Sequence, residues 1–398
     1  MAAIFPFIKT IFPPSHQSHI LLVGGTVRDL LLGKEGQDID LVAALPPQEV
    51  LALGFRLVEA SSTATIYFMH HPDFGKIEVT CISSVDDIEN DLRRRDFTIN
   101  AMAMDLNGLR IDPLGGVDDL KKGVLRACTP KSFVSDPLRI FRAFRFESDG
   151  WHMTSETAAL IRTEEWAAAF SKMPIERFSS EMVKALTGKY PEKFFQRMIE
   201  FNVGAQFLPE LFRMPQIPAG PLQHHPEGNL LTHSGQVLQR VARESKEPLT
   251  RFCAFFHDLG KLGTNPLLYP KHHGHDGAGF TMAVDFCNRL HMPAEYRNAL
   301  AWTSALHGKA NLWETLRNAT KITMAAQAIK GGIVHILPLV AAADKTEHQP
   351  MAGWDDAVRV AGLNTRELGI DQEILNAMPI KKRPSYIMQK RIEAFAAM

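Results

Sequence analysis

A change of hydrophobic period divides this chain. Before residue 83, short apolar runs of strand type recur: HILLVGG (19–25), DIDLVAAL (38–45), ATIYFMH (64–70) and KIEVTCI (76–82). Such runs, bounded by turn residues, mark buried strands. Between the first two lies TVRDLLLG, a helix stopped at Gly33. From about Asp136 the spacing turns helical in PLRIFRAFRF, TSETAALIRTEEWAAAF, IERFSSEMVKALTG and FFQRMIEFNVGAQFL. The pattern predicts an α+β protein, a small N-terminal α/β head followed by an extended all-helical remainder. A Pro- and His-rich stretch, 214–229, reads as a linker, and the histidine-dense segment after it reads as a second helical region. The predicted division is 1–126, 127–213, 214–345 and a helical tail, 346–398.

Lys+Arg and Asp+Glu both number 44, and hydrophobic residues make up 45%. These proportions exclude a disordered chain, a collagen-like one and a uniformly basic nucleic-acid coat. The four cysteines form no C-x-x-C pair, which fits a reducing cytoplasm. Membrane insertion is not expected, because apolar runs fall short of about 18 residues. The apolar N-terminus is broken by Pro6, Pro13 and Pro14, so no signal peptide is expected and the predicted location is the cytoplasm.

The chemistry begins where Gly24-Gly25 joins strand to helix. Glycines there let backbone N–H groups approach a phosphate, and the helix N-terminus adds partial positive charge. Thirteen residues after Gly25 comes Asp38-Ile39-Asp40. Residues i and i+2 of a strand share a face, so the two carboxylates project together. Two close carboxylates repel, and a hard divalent cation such as Mg²⁺ removes the conflict.

GGTVRDLLLGKEGQDIDLV resembles the signature of class II tRNA nucleotidyltransferases and bacterial poly(A) polymerases. The resemblance continues in order through RRRDFTINAMAMD (93–105), DPLGGVDDLKKGVLR (112–126), DPLRIFRAFRF (136–146) and ERFSSE (176–181). It implies that 1–126 is a nucleotidyltransferase head, that Asp38 and Asp40 are the catalytic Mg²⁺ ligands, and that Glu78 is a third carboxylate. Gly25 and Arg28 would hold the incoming triphosphate, with Arg95 lining the pocket.

Arg139, Arg142 and Arg145 are spaced by three, which keeps them on one side of a helix. A carboxylate accepts from the exocyclic amine of cytosine or adenine, and a guanidinium donates to ring acceptors. By resemblance, Asp136 and Arg139 form the nucleobase template in the neck (127–213), Arg142 and Arg145 lie near the phosphates, and Arg177 with Glu181 buttresses the helix. Two features depart from the family. Ser135 stands where Glu is common, and only CISSVD separates KIEVT from DIENDLRRRDF, where CCA-adding enzymes carry a longer flexible lever. The deletion implies a CC-adding enzyme using CTP at the tRNA 3′ end, with a separate A-adding enzyme as partner. Full CCA addition with CTP and ATP, A-addition and poly(A) synthesis stay open.

His233, His257-Asp258 and Asp344 follow in the order of HD phosphohydrolases, which this region resembles. By that resemblance the four bind a divalent metal, with His275 and His307 as additional or substrate-side ligands. Imidazole with carboxylate suits Mn²⁺, Ni²⁺ or Fe²⁺. A metal-dependent phosphohydrolase is therefore the alternative main activity.

Overall fold

The strand-type runs build one mixed sheet in a computed structural model that describes residues 4–34, 38–58, 65–163, 165–345 and 351–398. Parts of several predicted segments lie outside the described residues: Ala64, residues 35–37, Glu164 and 346–350. The strands are β1 (Ile20–Val23), β2 (Asp38–Ala43), β3 (Arg56–Val58), β4 (Ile66–His71), β5 (Gly75–Cys81), β6 (Ala103–Asp105) and β7 (Arg110–Ile111). Their order is β3-β4-β5-β2-β1-β6-β7. β2 and β5 run parallel, and the other pairs are antiparallel. β1 is buried along its whole length, as expected of an all-apolar strand inside a sheet. β3, β6 and β7 were not expected from the sequence; they are two or three residues long, too short to show a period.

Helix α1 (Gly24–Leu31) leaves directly from β1 and includes both glycines, two residues earlier than the predicted start. Helix α2 (Ile88–Arg93) turns Ile88 and Leu92, one helical turn apart, onto Leu21, Val23, Val42, Ala101 and Ala103. Leu92 is fully buried there, and its truncation to Ala costs about 2–5 kcal/mol. Helix α3 (Leu138–Ser148) buries Leu138, Ile140, Phe141 and Phe144, leaving Arg139, Arg142 and Arg145 half-buried on its other side.

Two compact units emerge, Met1–Ala169 and Phe170–Met398, and the boundary falls inside the predicted neck. In the second unit, α4 (Leu230–Glu244) opens on Asn229, whose side chain accepts from the Thr232 amide. It is followed by α5 (Pro248–Phe256), α6 (His275–Arg289), α7 (Ala294–Ala310) and α8 (Ile336–Asp344). Phenylalanines fill this core, with Phe195 stacked on Phe255 at 3.8 Å and Phe256 against Phe286 at 4.8 Å. The C-terminal segment is helical as predicted, over Trp354–Gly362, Gln372–Ala377 and Arg383–Ala396.

Three expectations fail. TSETAALIRTEEWAAAF forms two short helices, Ser155–Arg162 and Ala167–Phe170. FFQRMIEFNVGAQFL is helical only to Glu200, because Asn202 takes φ 53° and Gly204 φ 96°, outside the helical region. The 214–229 stretch is not a linker. Met214 and Ala219 are fully buried, Pro218 bridges to Asn229, and the carbonyls of Pro218 and Ala219 accept from His272 and Lys261. Its prolines shape a packed loop. Among the described residues, no single helix is long and apolar enough to cross a membrane; Asn318–Gly331 and α8 qualify only as a pair bent by 115°.

Candidate functional site

The first site lies where α1 springs from β1. Gly24 takes φ +64°, a left-handed backbone that glycine adopts without strain, and its N–H donates to the Met102 carbonyl at 3.3 Å. A Cβ there would fall 2.6 Å from Arg95 Nη1 and 3.1 Å from Asp40 Oδ2, so glycine is required by both backbone and space. Thr26 fixes the helix to β2: its Oγ1 accepts from the Asp40 amide at 2.7 Å and lies 3.4 Å from the Asp38 carbonyl.

Asp40 sits opposite Glu78 in the parallel β2–β5 register. Burial pushes its carboxyl above the ordinary value; Arg95 opposes the rise, Glu78 and Asp38 add to it, and the Gly25 amide lowers it. An all-oxygen donor set of this kind fits a hard cation. The trio is not fully converged, since Glu78 is ion-paired with Lys76, and its ligand atoms do not gather within 4.8 Å as those of the histidine centre below do.

Around this pair runs a chain of charge-assisted hydrogen bonds absent from the sequence reading. Arg28 forks onto Asp29 at 3.0 and 3.1 Å and donates from Nη1 to Asn100 Oδ1 at 2.6 Å. Asn100 Nδ2 donates to Asp96 Oδ1 at 3.0 Å, and Arg142 of α3 grips Asp96 Oδ2 at 2.8 and 2.7 Å. Burial would raise Asp96, but Arg142, Asn100 and the Phe97 amide outweigh it and hold the carboxyl at about 2. Arg95, in turn, is held by Asp91 at 2.9 and 3.1 Å.

The arginines of α3 lie on one side of the helix, and all three have partners within the protein, Arg142 through Asp96. Arg139 donates to the carbonyls of Arg94 at 2.6 Å and of Arg95 and Ser132 at 3.2 Å. Arg145 lies 4.4 Å over the Phe146 ring and 3.9 Å from Asp149. Asp136 accepts from the Leu138 amide at 3.2 Å. Residues 82–84 alone join β5 to the short helical turn Val85–Asp87 that leads into α2.

The second site is deep in the other unit. α5 ends at Phe256, so His257 and Asp258 are not inside a helix as expected; Asp258 (φ −99°, ψ 18°) precedes the tight turn Leu259–Gly263. Consecutive residues of an α-helix cannot face one point, and the helix end lets this pair do so. His233 Nε2 lies 3.5 Å from Asp258 Oδ2 and 2.9 Å from Asp344 Oδ1; His257 Nε2 lies 3.2 and 3.4 Å from the same oxygens. The four form a group fit to hold a metal ion, and the Nε2 atoms and both Asp258 oxygens are buried without hydrogen-bond partners. Burial lowers His257, yet Asp258 and Asp344 outweigh it and raise the imidazole to about 10. Both aspartates fall well below their ordinary value despite their burial, Asp258 against Lys261 and then His257, Asp344 against His233 and His257. Glu227, from the supposed linker, accepts from His233 Nδ1 at 2.7 Å and from His225 at 3.0 Å; its carboxyl is held at about 2, burial being overcome by these bonds. His275 and His307 reach the other Asp258 oxygen, Oδ1, at 3.6 and 3.2 Å.

A mixed sheet with an aspartate pair beside a glycine turn, carried ahead of helices, defines a nucleotidyltransferase head. Residues 20–126 match the family described as the poly A polymerase head domain, and 150–214 match the probable RNA- and SrmB-binding site of polymerase A. The matched segments are therefore a poly A polymerase-type head and an RNA-binding segment of the same polymerase type. Solved structures share its fold. The Bacillus stearothermophilus CCA-adding enzyme in complex with CTP is 23% identical (TM-score 0.61), the match covering 95% of this chain and 88% of that one. The Thermotoga maritima CCA-adding enzyme complexed with tRNA is 22% identical (TM-score 0.61), covering 95% and 90%. A CCA-adding enzyme with ATP is 22% identical (TM-score 0.62), covering 94% and 85%. Both family matches end before His233.

Proposed function

We propose that the chain extends the tRNA 3′ end with cytidylate from CTP, stopping after two additions and leaving the terminal adenosine to a separate enzyme. The observation that carries the reading is the half-buried Asp40 carboxylate, in register with Glu78 and next to the Gly24-Gly25 helix start. Asp38 and Asp40 would hold Mg²⁺, which when bound supplies charge neutralisation at the reacting phosphate. The N–H groups of α1, with Arg28 and Arg95, orient the triphosphate; such positioning is the main source of rate in phosphoryl and nucleotidyl transfer. Asp136 and Arg139 would read the base. For Arg139 this means exchanging bonds to three backbone carbonyls for bonds to the ring, which favours a base that satisfies all of its donors. The three-residue connection after β5 supports the CC-adding choice, as it leaves no room for a lever. Helical segments after the head would contact the tRNA backbone and read its shape.

The test is primer extension with Mg²⁺ and transcripts ending before CCA, after C and after CC, with CTP and ATP supplied singly and together. Two additions from CTP and none from ATP on the CC-ending primer are expected. Full CCA synthesis overturns the subtype, and no addition on any primer overturns the transferase reading.

The histidine–aspartate group favours a second activity, metal-dependent hydrolysis of a phosphoester. His233, His257, Asp258 and Asp344 would hold a divalent ion such as Mn²⁺, Ni²⁺ or Fe²⁺, with Glu227 orienting His233. Mn²⁺-dependent hydrolysis of a chromogenic phosphoester such as bis(p-nitrophenyl) phosphate by the full chain, lost in Asp344→Ala with extension intact, is the expected result. Hydrolysis that survives that substitution removes the assignment.

A further inference from the structure

We infer that the solvated face of β5, β4 and β3 holds the last unpaired nucleotides of the RNA primer, one base stacking on Phe68 and the phosphates meeting Arg56 and Lys76. On the transferase reading of the head, on which this inference rests, that face presents the attacking hydroxyl.

The strand register assembles the surface. Residues directly opposite one another in a sheet share a face. Asp40, Glu78, Phe68 and Arg56 therefore form one row across β2, β5, β4 and β3, and Asp38, Lys76 and His70 form the next. With strands about 4.8 Å apart, Phe68 lies about 10 Å and Arg56 about 14 Å along the row from β2. The Asp38–Asp40 pair stands at one end of a continuous strip.

The side chains of the strip break the pattern of a solvated sheet face. On the opposite face, β4 and β5 bury Tyr67, Ile77 and Val79. A sheet wet on one side alternates apolar-in with polar-out. Among the described residues, however, Ile66 and Phe68 stand on the wet side half-exposed, with Val58 opposite Ile66. Arg56, His70 and Lys76 are exposed around them. An open aromatic ring bordered by cations is the composition of a single-strand platform, where a base stacks on the ring and the cations take the phosphates. Lys76 is ion-paired with Glu78 and lies 5.9 Å from the Phe68 ring centroid. A strand passing over β5 thus meets a neutralised pair, not a bare carboxylate.

The direction of approach assigns the strip to the primer and not to the incoming nucleotide. β1 and β5 flank β2 on opposite sides. The glycine turn, α1 and its Arg28 lie on the β1 side, with Arg95 against Gly24. Attacking and leaving oxygens are roughly in line in phosphoryl transfer. A triphosphate whose pyrophosphate leaves towards α1 is attacked from the β5 side, where the strip begins.

The test measures extension from CTP by the full chain on a transcript ending after C, with each substrate varied while the other saturates. Phe68→Ala should lower kcat/KM for the primer about 5–150-fold, with the KM for CTP little changed. Phe68→Leu keeps the apolar packing and loses the ring, so it should match Phe68→Ala, whereas Phe68→Tyr should restore the wild-type value. Arg56→Gln should reduce the salt dependence of primer binding by about one counterion. Wild-type primer kinetics in Phe68→Leu, a KM for CTP that rises in step with the primer defect, or an unchanged salt slope in Arg56→Gln overturns the platform and leaves the transferase reading standing. A wild-type chain that extends no primer overturns both.

Discussion

Asp96→Asn tests the bond chain that joins the glycine turn to α3. The substitution keeps the shape of the side chain and removes the charge that Arg142 and Asn100 surround. Asp96 is held at about 2 against an ordinary 3.8. At about 1.4 kcal/mol per unit this is worth about 2 kcal/mol of folding stability at neutral pH. The carboxylate is depressed in the folded state, so the stabilisation is complete above about pH 5 and is lost as the pH falls through 4 towards 2. Linkage gives a loss of about 1 kcal/mol by pH 3 and about 2 kcal/mol by pH 2. Urea unfolding of wild type and variant should therefore differ by about 2 kcal/mol at pH 7, and the gap should narrow to about half at pH 3. Hydrogen exchange of the α3 amides reports the same change locally, since Arg142 loses its anchor. A gap below about 0.5 kcal/mol at pH 7, or one that does not change with pH, refutes the reasoning.

Other substitutions separate activity from stability. Asp40→Asn should lower nucleotide addition by at least about 10²-fold, yet raise the metal-free melting temperature at pH 7. Burial makes the ionised form costly there, and Asn carries no charge; a lower melting temperature contradicts this account. Gly24→Ala places a methyl group against Arg95 and Asp40, and a displacement of that order should reduce kcat/KM for CTP by about 10²-fold with the fold retained by circular dichroism. Glu227→Ala frees His233 Nδ1 and should weaken Mn²⁺ binding by about 10–100-fold in calorimetry while leaving extension unchanged. Equal affinity would show that the loop acid does not orient the imidazole.

The parts legible in the sequence are those whose chemistry is local. Gly24-Gly25, Asp38 and Asp40 stand within one strand–helix–strand passage, and their spacing alone predicts a shared face. His257-Asp258 is conspicuous because two polar residues interrupt an apolar run. Asp96 and Asn100 were hidden because their partners, Arg142 and Arg28, lie 46 and 72 residues away in the chain. Thr26 belongs to a type that most often caps helices or meets solvent, so nothing in the local pattern singles it out. The 214–229 stretch misled by composition. Proline, glycine and histidine are loop residues by propensity, but here the loop is folded inward and delivers Glu227 to a buried imidazole. Arg139 shows the converse, a side chain whose position on the helix was foreseen while its three carbonyl partners depended on the tertiary fold.

The chain from Arg28 through Asn100 and Asp96 to Arg142 also constrains selectivity. On the proposed reading, it ties the Arg28 grip on a triphosphate to α3, the helix that also carries the base-reading Arg139, through one electrostatic lattice. A substitution that loosens either end is felt at the other as a change in coupling free energy, not as an independent loss. Selection on such a lattice cannot tune nucleotide affinity and nucleotide choice separately. Variants chosen for a new base should carry altered phosphate affinity as a linked trait, and double-mutant cycles between Arg28 and Arg142 should be non-additive.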